Sequence, residues 1–457
     1  MESYKHLIIL LNIELFLFEI KISKPLNWPF SARFGMFLNA VFIIYPDSIL
    51  AITSLVRLHN HSFKTKSIKI MPRHTYVLSQ FLRLLPRYEF QCIVNKYKGD
   101  YHTKHFKCWD HLASMMIAHI RQEDSLRDID ITLNAHANKL YHIGIKQCPK
   151  STIADANELR DYRIYEEFAK TLMHRARREY AQTELAIEAD NAVYALDAST
   201  IDLTLSLFPW AKFRKTKGAI KMHAMLDLRG NIPAFLYITD GKVHDVKAVS
   251  QVPIEPEGIY VVDRAYVDFS LLWSINQAGA FFVTRLKKSI KWTRILSHPV
   301  DKSLGLRSDQ EILLGNKKSK SLYPERLRRI SFRDETQGRT LVFLTNNFIL
   351  TAETIAALYK ARWEIELFFK WIKQNLKIKT FLGTSSNAVK NQIWIAMVVY
   401  LVLAILKEKY HLDFPMSKLL HFLEVNLFEQ KPLLSIFQIN PRYKRHDEDK
   451  QLKLFDF

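Results

Sequence analysis

Residues 351–379, TAETIAALYKARWEIELFFKWIKQNLKIK, contain no proline or glycine, and none follows before Gly383. Ile365, Phe368, Phe369 and Ile372 recur at helical spacing and predict a buried apolar stripe. Thr351 supplies a cap and Glu353 an acidic first turn. At about 100° per residue, Tyr359, Arg362, Glu366 and Lys373 project within roughly 60° of arc, with Lys370 and Lys377 beside them. The pattern therefore predicts one helix with a buried back, presenting a carboxylate among an aromatic and several cations. A solvated face held by Arg362–Glu366 and Glu366–Lys370 pairs would give the same pattern.

From Asn191 the hydrophobic period shortens to that of strands. Residues 193–196 are an apolar run ending at Asp197, followed by Ser199 and Thr200. Over 220–228, Ile220, Met222, Ala224 and Leu226 alternate with Lys221 and His223, which predicts a half-buried strand. Further strands are expected at 234–238, at 258–262 ending in Asp263, and at 281–286. Residues 290–345 lean toward strand, most clearly at 341–345. Asp197 and Asp263 thus sit at the ends of apolar strands, where α/β folds place their sites; an Asp there is also an ordinary turn former. Residues 393–406 are apolar but too short to span a bilayer, and read as a buried core helix. Ahead of the strands, 109–119 and 151–180 carry helical spacing in a basic context.

Charge narrows the class. Lys plus Arg number 66 against 46 Asp plus Glu in 457 residues, a net charge of +20. Such a chain suits a polyanion, nucleic acid first; the length suggests two to three domains. No phosphate-binding G-x-x-x-x-G-K-[ST] loop is present, which argues against ATP-driven chemistry. Three cysteines, Cys92, Cys108 and Cys148, fit a reducing compartment rather than a disulfide framework. His102, His105, Cys108 and His111 recur every third residue; on a helix that spacing drifts, so the four do not converge on one zinc ion. Packing or contact with DNA suits them better. Residues 1–70 are read as an atypical, dispensable extension. Its 34–56 stretch is long enough to cross a membrane but carries Asn39, Pro46 and Asp47. Met71 opens a normal globular start, and 441–457 form a charged tail.

Asp197, Asp263 and Glu366 together resemble the catalytic triad of bacterial insertion-sequence transposases of the Asp-Asp-Glu (DDE) class. Tyr359, Arg362, Glu366 and Lys373 match the Tyr-x2-Arg-x3-Glu-x6-Lys motif of the insertion-sequence-four family. The first aspartate matches in YALDASTIDLTLSLFPWAKFRKTKGAIKMH and the second in VVDRAYVDF, where Ala265 replaces a frequent glycine. HFKCWDHLASMM and RDYRIYEEFA resemble the helical domain that precedes the catalytic one in a subgroup. The resemblance covers about 71–440.

It implies an α/β, ribonuclease-H-like fold: a mixed five-stranded sheet flanked by helices. A helical DNA-binding domain at 71–190 would precede a catalytic domain at 191–440, with a strand-rich insertion at about 290–345 before the catalytic Glu. Two magnesium ions, replaceable by manganese, would be held by Asp197, Asp263 and Glu366, with Asp197 between them. Water would free a 3′-hydroxyl at the transposon end, which then attacks further DNA. Tyr359, Arg362 and Lys373 would grip phosphates. Arg214, Lys215 and Lys217 are further DNA-contact candidates, and Trp292 is a candidate for holding a flipped base. The implied partners are double-stranded DNA, as terminal inverted repeats and target, and a second copy in a synaptic dimer, with no membrane. The implied location is the bacterial cytoplasm, at the nucleoid. A ribonuclease-H-like nuclease without strand transfer and a decayed, non-catalytic DNA-binding relative are the competing readings; a membrane-attached protein is a third, resting on 34–56.

Overall fold

In the computed structural model the described residues are 75–437, apart from 184, 186, 188–190, 216, 244–251 and 335–337. The expectations for 1–70 and 441–457 lie outside them. Helices α1 (Val77–Leu82), α2 (Arg87–Lys96), α3 (Cys108–Ile120), α4 (Leu126–Ala135), α5 (Ala137–Ile143), α6 (Lys150–Leu159) and α7 (Arg163–Glu179) come first. Ten strands follow: β1 (Val193–Leu203), β2 (Lys212–Arg214), β3 (Lys217–Asp227), β4 (Ile232–Asp240), β5 (Ile259–Val262), β6 (Phe281–Arg285), β7 (Trp292–His298), β8 (Leu306–Leu314), β9 (Leu327–Asp334) and β10 (Arg339–Thr345). Among and after them lie α8 (Phe269–Gln277), α9 (Lys317–Leu322), α10 (Ala352–Ala361), α11 (Trp363–Asn375), α12 (Ser386–Lys409) and α13 (Met416–Asn426).

The strands form one mixed sheet in the order β2-β3-β1-β5-β6-β10-β9-β8-β7, with β4 also on β3. β1, β5 and β6 are parallel neighbours; β3 and β10 join them antiparallel on either side. Where five strands were expected, the sheet runs on through the 290–345 segment, because β10 hydrogen-bonds β6 at Phe343–Thr345 and carries β9, β8 and β7 with it. Alternation along β1 splits two cores: Val193 and Ala195 join one hydrophobic cluster, Tyr194 and Leu196 the other.

The sheet is covered by helices from both ends of the sequence. α12 runs 24 residues, longer than the apolar stretch that predicts it, and packs on α3, α6 and α7. Its most apolar stretch is 94% buried inside the protein, so the hydropathy serves a core rather than a bilayer. Because Met222, Ala224 and Leu226 join one hydrophobic cluster and Met225 the other, β3 is buried almost throughout rather than on one face. His223, read as a polar-face residue, is 3% exposed and shares a 2.9 Å hydrogen bond with Thr239 Oγ1.

Two contacts tie the helical segment to the sheet. Arg177 of α7 reaches Asp227 (3.3 Å), Glu255 (3.0 Å) and the Tyr194 hydroxyl (2.5 Å). Tyr180, just beyond α7, donates to the Ala404 carbonyl at 3.1 Å, and its ring lies against the β3–β4 turn. There Gly230 has φ +73°, and a Cβ would come within 2.0 Å of the Tyr180 ring. Gly230→Ala combines left-handed strain with a collision against a buried ring. It is expected to cost about 2–4 kcal/mol and to lower the melting temperature. In a Tyr180→Ala background the collision disappears and about 1 kcal/mol of backbone strain remains; thermal melts of the single and double variants check this.

Candidate active site

The parallel pairing of β1 with β5 runs from Val193–Ile259 to Leu196–Val262 and stops there. The next residue on each strand is an aspartate. Neighbouring strands lie about 4.8 Å apart, so Asp197 and Asp263 stand side by side where the two backbones part. Asp197 does not end its strand as the apolar run implied. β1 continues to Leu203 because β3 pairs along its whole length, with Asp197 opposite Ala224. Asp263 does leave its strand: it caps a 3-10 turn over Arg264–Tyr266 and accepts from the Ala265 N–H at 3.3 Å. Ala265 is not among the residues with positive φ, so the alanine brings no strain to the turn.

The carboxylate helix arrives as two pieces. α10 is capped by Thr351, whose hydroxyl accepts from Thr354 N–H, and ends at Ala361; α11 begins at Trp363. Arg362 is the joint. Its N–H bonds Tyr359 O and its own carbonyl bonds Ile365 N–H, three-residue spacings that tighten the turn. A single continuous helix was expected; its broken form still directs the four motif residues to one side. The reason is packing: Ile365, Phe368, Phe369 and Ile372 are all buried, and α11 lies on β1.

Polar contacts then converge. The Tyr359 hydroxyl donates to Asp263 Oδ1 at 3.3 Å. Arg362 places Nη1 3.5 Å from Asp197 Oδ2 and donates through Nη2 to Glu366 Oε1 at 2.5 Å. Lys373 donates to the carbonyl of Thr200, three residues beyond Asp197, at 2.8 Å. Phe343 lies 5.1 Å from the Tyr359 ring, holding it from behind. The Arg362 Nε is buried with no partner.

The two aspartates are tuned apart. Burial pushes the Asp197 carboxyl up to about 6; Glu366 and Asp263 add to the rise, against the Ala198 N–H and Arg362. At Asp263 burial acts upward too, but the Arg264 and Ala265 N–H groups, Arg362 and Tyr359 together hold it below the usual carboxylate range. Burial, and then Lys379, lower the Lys373 ammonium. This is an acidic site whose charge is met by one guanidinium.

Arg214, Lys215 and Lys217 lie exposed at the β2–β3 hairpin, by the far end of β1, and are not brought to the carboxylates. Trp292 opens the edge strand β7, half-buried against the second core, with the Arg329 guanidinium 4.6 Å over its ring. Among the described residues no hydrogen bond or ring contact links it to the three carboxylates. Two residues by the site were not singled out as functional. His223 lines the small cavity beside Asp197 with Tyr266. Arg285, at the end of β6, influences the Tyr359 hydroxyl; its signal was a basic residue ending a central strand.

Among the described residues no three His, Cys, Asp or Glu side chains stand close enough to hold a metal as they are. The donor chemistry fits one nonetheless: two Asp and one Glu are hard oxygen donors of the kind divalent magnesium takes. Arg362 occupies the space between Asp197 and Glu366 and supplies positive charge there.

Comparison with known proteins follows these elements. Residues 188–402 match the transposase DDE domain family, and 73–146 match a domain of unknown function. A protein described as a transposase in Sinorhizobium fredii is 32% identical over 300 residues, covering 64% of this chain and 82% of its own. One described as a transposase for an insertion-sequence element of Geobacillus stearothermophilus is 27% identical over 335 residues, covering 73% and 85%. Among solved structures, the piggyBac transposase synaptic complex with hairpin DNA aligns with 78% of each chain at 10% identity and a TM-score of 0.37.

The raised Asp197 value has a consequence for stability. Its folded value (about 6) exceeds the ordinary 3.8, so the folded state binds the proton more tightly. Stability from this group is present below pH 3.8 and is lost as pH rises through 6. Asp197→Asn is therefore expected to stabilise the metal-free protein at pH 7, by at most about 3 kcal/mol. The gain should shrink toward pH 5, and denaturant melts at the two pH values check it.

Proposed function

The chain belongs to the bacterial insertion-sequence transposases of the DDE class, which are DNA transposases, and on that premise we propose that Asp197, Asp263 and Glu366 are its catalytic carboxylates. The observation that carries this is their convergence. Three acids from β1, the end of β5 and α11 meet around one arginine and one tyrosine of the same helical motif. A merely solvated helix face would not bring Arg362, already beside Glu366, to an Asp197 carboxylate 165 positions away in the chain.

We assign the metal to magnesium, held by these three carboxylates. When bound, the divalent ions supply activation of the attacking oxygen and stabilisation of the leaving oxygen in an in-line displacement. The chain's own groups do the positioning. Arg362, whose Nε is buried without a partner, has a guanidinium fork that would also suit a bidentate phosphate contact. Tyr359 steadies Asp263 through its hydroxyl. Lys373, anchored on the Thr200 carbonyl, places a second cation along β1 for the next phosphate. Arg214, Lys215 and Lys217 extend this basic track along the β2–β3 hairpin. Trp292 is the candidate contact for an unpaired base in the β7–β10 segment.

In this reading the β4-β3-β1-β5-β6 half of the sheet is the ribonuclease-H-like catalytic core, and β7–β10 form the insertion. Residues 75–183 form the DNA-binding part. Water attack frees a 3′-hydroxyl at the element's end, and that hydroxyl joins target DNA, with two copies of the chain pairing two ends in the cytoplasm.

The deciding measurement is nicking of a duplex carrying the element's own terminal repeat, with and without magnesium. Glu366→Gln is expected to lower metal-dependent cleavage by about 1,000-fold or more, and Arg362→Ala by about 100-fold, while both variants keep binding the duplex. Unchanged cleavage by Glu366→Gln would remove the triad assignment. Nicking without joining to a plasmid target would favour the simple nuclease.

A further inference from the structure

The helical half carries a cavity of about 770 Å³ that none of the triad residues line. It opens between the loop following α2 and the segment that contains α6. Its rim carries Lys98, His102, Lys104 and His105, all exposed, together with Tyr101 at 69% exposure. Arg160 also lines it, 8% exposed. Its guanidinium donates to the backbone carbonyls of Phe106 and Lys107 and stacks 5.1 Å over the Phe106 ring, and no carboxylate among the described residues forms an ion pair with it. Two acids share the lining, Asp155 and Asp161, and Asp161 is already paired with Arg163. The groove thus holds three permanent cations and two histidines against little unpaired acid.

The wall that carries these cations is built rather than loose. Gly99 lies so close to its neighbours that a Cβ would meet Ile164 at 2.4 Å and Cys108 at 2.8 Å, which presses the loop onto α7 and α3. Asp100 accepts from the Cys108 N–H at 2.7 Å. Lys98 and His102 take left-handed backbone conformations, φ 53° and 56°, uncommon for residues with side chains. The Tyr101 ring lies tilted at 59° against His102, with centroids 4.0 Å apart. The two histidines of the old His-x2-His-x2-Cys-x2-His spacing therefore serve the groove, while Cys108 and His111 are buried in α3. His111 shares a 2.7 Å hydrogen bond with the Tyr165 hydroxyl.

We propose that this groove is a phosphate-contact surface for duplex DNA, a second grip separate from the catalytic carboxylates. Exposed lysines above a buried arginine that is held by backbone carbonyls rather than by a carboxylate complement a polyanion, and exposed Tyr and His at the rim can pack on sugar edges. The inference rests on the reading of the chain as a DNA transposase and assigns its 97–106 and 147–161 segments a share of the DNA contact.

The test measures binding of the full chain to a short fluorescent duplex across a salt series. Lys98→Gln with Lys104→Gln removes two rim cations without touching Gly99, Asp100 or Arg160. Lys407→Gln with Lys409→Gln, at the end of α12, removes the same charge elsewhere. The groove variant is expected to bind about tenfold more weakly near physiological salt, and its log Kd–log salt slope to fall by about two. The α12 variant should stay near the parent. Circular dichroism melts confirm that both fold. Parent-like binding by the groove variant, or equal losses in both variants, overturns the groove while leaving the transposase reading intact. Absence of DNA binding by the parent chain would overturn both.

Discussion

The backbone pairing of β1 with β5 is the constraint on which the site depends. Four residue pairs of parallel ladder, ending at Leu196–Val262, set the height at which two aspartates emerge together. A one-residue slip in that ladder would turn Asp197 from the face covered by α11 toward the opposite core, where Tyr194 and Leu196 pack. The register is secured from both faces. Val193 and Ala195 are buried among the helices, and Tyr194, Tyr260 and Val262 lock the other side. Arg177 binding the Tyr194 hydroxyl extends that lock to α7. The placing of the two aspartates is inherited from strand pairing, and the helical segment helps to hold it.

The electrostatics answer a problem created by that geometry. Three carboxylates brought together in a partly buried place repel one another, and burial alone already raises Asp197. The chain meets this with cations from the same helix that brings the third carboxylate. Arg362 at the helix joint neutralises two acids, and backbone N–H groups from the turn after β5 hold Asp263 charged. The arrangement leaves none of the three acids without a cation or donor beside it.

Much of this was legible in the residues. The apolar run ending at Asp263 announced the end of β5, and the stripe Ile365–Phe368–Phe369–Ile372 the buried back of the helix. Local pattern could not report what depends on long-range pairing. β1 outruns its apolar segment because β3 continues beside it, and the sheet exceeds five strands because β10 happens to find β6. The break at Arg362 was invisible for another reason: nothing in its helix propensity distinguishes it, and the joint arises from fitting two packed helices to one sheet. His223 read as a polar-face residue because alternation assumes one open face, and here neither is open. The cationic groove escaped too, since its members come from two segments that meet only after α3, α6 and α7 pack.

The origin of α12 also bears on how this protein comes into being. Its 24 residues follow α7 by about 200 positions, yet they form the dry interior against which α3, α6 and α7 rest. During synthesis those earlier helices leave the ribosome with their apolar faces uncovered and wait for a partner made about 200 residues later. A product cut short by a frameshift or a premature stop would lack that partner. It would be an exposed, sticky fragment liable to aggregate or be degraded, not a small DNA-binding competitor of the intact enzyme.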